Sequence, residues 1–140
     1  MAIEGKHMTW STKAGADLSD LTAGTGALYK AITQLGVKAA SPGDDAKGLL
    51  LYGGTSGSHV TLGVMGEMKF TAGAAVTSVN APLSVAAAGF LTVATSGDFV
   101  VGHFTQGTNR STSISSGSVG TGLFDFVNPQ YAASAAALTF

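Results

Sequence analysis

From His59 to Phe70 the side chains alternate in kind. The even positions are Val60, Leu62, Val64, Gly66, Met68 and Phe70, and the odd ones are His59, Thr61, Gly63, Met65, Glu67 and Lys69. Successive residues of a strand point to opposite sides, so an unbroken series of even positions without a polar side chain predicts a long strand with one buried face. Gly63 and Gly66 inside the run predict a bend or bulge, the device that lets a sheet curl. The rest of the chain agrees with a curled sheet. Residues 28–33, 49–52, 83–85, 90–93, 99–104 and 119–127 are short apolar or alternating runs separated by turn residues. The clearest separator is Ser41-Pro42-Gly43-Asp44-Asp45, where Pro presets the first central position of a type II turn and Gly is free to take positive φ at the second. No stretch of roughly a dozen residues keeps an apolar 3.6 period free of glycine, which argues against long helices.

These signals predict an all-β chain, a small β-sandwich or partly open β-barrel with an extended N-terminal arm. The 140 residues suit one domain. Residues 1–15 read as the arm, 16–128 as the β domain and 129–140 as a C-terminal tail. Residues 105–118 read as a polar loop. The arm shows neither period, yet it carries the only tryptophan, Trp10, which either tucks onto its own domain or is offered to a neighbour.

Composition narrows the function. Ala, Gly, Ser and Thr make up 72 of the 140 residues, whereas only 15 are charged. A surface so poor in charge suits a protein that shares much of it with neighbours. A net charge of −1 with singly scattered Lys and Arg offers no basic stripe for phosphates, so nucleic acid is not an expected partner. No apolar run approaches a membrane span, and residues 1–7 lack the apolar core of a signal peptide, so synthesis in a cytoplasm and no membrane partner are expected. Zero cysteines exclude thiol catalysis, disulfides and thiolate metal sites.

Motifs for chemistry are missing. His7, His59 and His103 lie far apart in sequence without a nearby carboxylate at metal-ligand spacing, so they read as ordinary strand side chains and no metal or cofactor is expected. Gly54-Thr55-Ser56-Gly57 is not a nucleophile elbow, and Gly24-Thr25-Gly26 lacks the third glycine of a dinucleotide loop. Asp44 and Asp45, neighbours on a turn, diverge rather than form an acid/base pair. The chain is not expected to be an enzyme.

One resemblance runs through the order of the motifs. Gly48-Leu49-Leu50-Leu51 is followed by a Gly-rich turn and the valine-containing strand Val60 to Gly66. Then come Ala72-Gly73-Ala74-Ala75-Val76, Gly89 in a turn, and Gly97-Asp98-Phe99-Val100-Val101-Gly102. This series resembles the small capsid decoration, or cement, proteins of tailed bacteriophages. The resemblance implies a compact β domain on the outer surface of the mature virion, often a trimer, that binds the major capsid protein and stabilises the shell against internal genome pressure. A ligand that binds only the expanded shell stabilises it by its own binding free energy. Lys6, His7, Trp10 and Lys13 of the arm are then the candidate capsid-binding residues. A head fibre base or a tail component is the alternative reading.

Overall fold

The alternating run becomes the longest strand of the fold. A computed structural model describes residues 7–22, 26–39, 46–127 and 130–131. Its strands are β1 His7–Lys13, β2 Ala31–Thr33, β3 Ala46–Tyr52, β4 His59–Thr71, β5 Pro82–Val85, β6 Leu91–Val93, β7 Phe99–Val100, β8 Gly102–Gln106, β9 Val119–Asp125 and β10 Gln130–Tyr131. Among the described residues there is no α-helix, and no helix is long and apolar enough to cross a membrane. The predicted turn at 41–45, the Gly24-Thr25 pair and most of the C-terminal tail lie outside the described residues.

Strand β4 is long enough to serve three antiparallel partners. β1 pairs with residues 59–66, β3 with 61–63 and β9 with 65–71. A residue has one neighbour on each edge, so β1 must occupy one edge of β4 while β3 and β9 take successive stretches of the other. The sheet continues β9-β8-β5-β6. It then returns to β4: the Gly73 N–H donates to the Leu91 carbonyl (2.8 Å), and Ala72 bridges Leu91 in parallel. That contact brings an all-β sheet to a nearly closed barrel, the outcome expected from the glycines in the strand.

The prediction that the even residues of β4 share one buried face needs correction. Val60 and Leu62 are buried with Ala14, Leu18, Ala27, Ile32 and Leu50 in one cluster. Met68 and Phe70 are buried in another, the barrel interior, with Leu49, Leu83, Leu91, Phe104 and Phe124. The cause is a bulge. Thr9 pairs with Gly63 and Met8 with Met65, so Val64 is the extra residue, and Gly66 just beyond it has φ +115°. One inserted residue exchanges the two faces of everything downstream. Gly63 and Met68, of opposite parity, therefore face the same side, and a Cβ on Gly63 would overlap the Met68 sulfur.

The barrel interior is aromatic. Phe70 meets Phe104 edge-on at 6.2 Å and Phe124 at 5.6 Å, while Phe124 stacks on Phe126 at 5.7 Å. Such pairs each add about 0.5–1.5 kcal/mol beyond area burial. The polar stretch 105–118 is tied down by its one large apolar residue. Ile114 is buried, and it exchanges backbone hydrogen bonds with Val76 at 2.9 and 3.0 Å.

Candidate functional site

β1 is extended, and its seven residues pair along β4 with one shift of register between Met8 and Thr9. Trp10 stands opposite Leu62 and remains 43% exposed. It borders an open groove of about 530 Å³ with Thr9, Gln34, Lys47, Val64, Phe126 and Val127. The groove lies where the edge of β4 passes from β3 to β9. There the Phe126 N–H donates to the Val64 carbonyl at 3.0 Å, and the lining includes Lys47 of β3 and Val127, which is 69% exposed. An aromatic, three aliphatic or aromatic neighbours and one cation make a surface suited to an apolar anchor.

Of the candidate residues, Trp10 and Lys13 are described with their side chains, and they lie on opposite faces of β1. Lys13 is exposed at the far end of β1, opposite His59, and strand alternation puts it on the other face from Trp10. His7 is placed opposite Gly66 by its backbone, and Lys6 lies outside the described residues. Gln34, Lys47, Val64, Phe126 and Val127 are not legible as site residues, because only the pairing of distant strands around β4 gathers them and none sits in a local motif.

Exposed apolar side chains extend beyond the groove. Met8 is opposite Met65, and exposed Leu123 of β9 lies between Glu67 of β4 and His103 of β8. With β9 between their strands, His59 and His103 do not meet. Among the described residues no three His, Asp or Glu side chains gather as a metal site. Lys30, although 2% exposed, is accommodated by placing its ammonium 4.1 Å from the Phe90 ring centroid. Burial, and secondarily the charge of Lys38, holds its pKa below the usual lysine value.

Burial also lowers the His103 pKa below 6.5. The folded protein then resists protonation more than the unfolded chain, so stability is full above about pH 6.5 and is lost as the pH falls toward the folded value. His103→Gln is expected to flatten the decline in thermal midpoint between about pH 7 and pH 5 relative to the parent. Parallel melting series that fall equally in both proteins would refute this role.

Comparison with known proteins gives a likeness in fold. No family model and no curated protein matches the sequence. Among solved structures, the N base of the head fibre protein gp8.5 of bacteriophage phi29 superposes with a TM-score of 0.59. It shares 11% sequence identity over 90% of this chain and 100% of that one. The fold of this chain is therefore similar to that of the head fibre base.

Proposed function

We propose that this chain is a structural part of a phage head, a fibre-base-type domain seated on the outside of the capsid. What supports the reading is the likeness to the gp8.5 base over all of that domain. The low charge and the half-exposed Trp10 beside an apolar groove give the domain a means of attachment. The partner is the shell subunit, contacted through β1 and the groove, and no catalysis is involved. The motif order from Gly48 to Gly102 favours a second reading, a decoration protein that clamps the expanded shell.

Co-sedimentation with expanded capsids and with unexpanded procapsids tests both readings, since each requires the expanded lattice to present the complete site. Binding to expanded capsids alone is the expected result, and equal binding to the two particles would overturn it. Trp10→Ala should weaken capsid binding at least about tenfold, the loss of roughly 1.4 kcal/mol, while shifting the melting of the free domain little. Heating DNA-filled heads with and without the protein separates the readings. A fibre base leaves the temperature of genome release unchanged, and a clamp raises it.

A further inference from the structure

We propose that the stretch of the β4 edge from Glu67 to Lys69 is a docking site for Glu4-Gly5-Lys6 of this same chain, which continue β1 and set two ion pairs against it. The pairing holds wherever the protein is mounted. Residues 1–6 precede the described part of β1. On the edge of β4 that faces β1, pairing is described as far as His7 opposite Gly66. Further along that edge the Thr71 N–H donates to the Tyr29 carbonyl at 3.0 Å. Between these two points β4 has a strand partner only on its other edge, β9, among the described residues.

The hydrogen bonds fix which peptide groups face the gap. The Val64 carbonyl accepts from the Phe126 N–H at 3.0 Å, and the Ala72 N–H donates to the Ser118 carbonyl at 2.9 Å. Peptide groups of a strand alternate between its two edges. The even-numbered residues from 64 to 72 therefore bond toward β9. Glu67 and Lys69 aim their N–H and C=O groups at the opposite edge, as Thr71 does toward Tyr29. Tyr29 closes the far end of the gap, so the site ends at Lys69.

The register of β1 selects the occupant. His7 opposite Gly66 and Met8 opposite Met65 carry on to Lys6 opposite Glu67, Gly5 opposite Met68 and Glu4 opposite Lys69. The pairs with Glu67 and Lys69 fall at hydrogen-bonded sites, and each joins opposite charges that share one face of the sheet. On the β9 side Glu67 has Leu123 and Lys69 has Thr121 as its neighbour, so neither meets an opposite charge there. Gly5 adds no side chain to the face on which Met68 is fully buried. Other registers fail. A slip of two residues sets Glu4 against Glu67 or Lys6 against Lys69, and a slip of one turns both charges toward the barrel interior.

Lys6, a candidate capsid contact by sequence, is thereby assigned to the domain's own sheet, which leaves Trp10 and Lys13 of the arm for a partner. The edge it covers is closed to strands of other chains.

Nuclear magnetic resonance of the full chain tests the pairing. Expected are a contact between the Hα protons of Gly5 and Met68, which approach closely at a non-hydrogen-bonded site, and strong protection of the Glu67 and Lys69 amides from hydrogen exchange. Lys6→Glu faces Glu67 with a like charge. It should lower the protection of those two amides at least about tenfold, while the Thr12 amide, deeper in β1, keeps its own. Adding Glu67→Lys restores opposite charges and should restore protection at positions 67 and 69, which a loss of packing at either residue would not do. Unprotected Glu67 and Lys69 amides overturn the proposal, as does protection without the contact between Gly5 and Met68. Protection that survives Lys6→Glu, or that Glu67→Lys fails to restore, overturns it too.

Discussion

Phe70→Ala is expected to lower the thermal midpoint by roughly 10–15 °C, corresponding to about 3–5 kcal/mol for removing a fully buried phenylalanine. The ring is inaccessible and touches both Phe124 of β9, the strand beside β4, and Phe104 of β8, the strand beyond it. Its loss opens a void between backbones held by their ladders, so collapse cannot fill it. Phe70→Leu should recover more than half of the loss, because volume-conserving apolar changes are tolerated best. Thermal melts of the three proteins check this. A midpoint within a few degrees of the parent for the alanine variant would mean that the three rings do not form the centre of the barrel.

Gly63→Val is expected to cost about 3 kcal/mol, the upper part of the range for overfilling a packed site. Its new side chain would claim the place of the Met68 sulfur, with the Leu51 Cδ1 atom 3.4 Å away on the other side. Met68 is fully buried and its displacement would force a rearrangement of the barrel interior. Combining Gly63→Val with Met68→Ala should therefore cost less than the sum of the single changes, because the shortened residue vacates the contested space. Additive losses in denaturant titrations would show that residues 63 and 68 do not share a face.

That pair also marks how far the sequence could be read. The extent of β4 is legible because a period of two persists for its whole length, and its glycines announce curvature. The exchange of faces is not, since Val64 becomes the extra residue only when β1 pairs with Gly63 on one side of it and Met65 on the other. β1 itself has no apolar alternation, for Met8, Trp10 and Lys13 are all left exposed, and its strand form comes from the edge of β4. Ile114 shows the reverse: one buried aliphatic residue anchors a stretch whose composition reads as loop. Of the candidate site, Trp10 stands out by its rarity, whereas its groove neighbours come from positions as distant as 34 and 126.

The sharing of one β4 edge by β3 and β9 has a consequence for how the chain is made. Residues 65–71 find their partners at 119–125, 48 to 60 residues later, while β1 and β3 are already synthesised when β4 emerges. At about 5–20 residues per second the second half of that edge waits several seconds for its ladder. During the delay Met68 and Phe70 stand beside open peptide groups, an invitation to the same segment of another nascent chain. Slow cooling or low expression temperature, which does little for a helical protein of this size, should raise the soluble yield of this one, because closure across so long a sequence separation is the slow step in its folding.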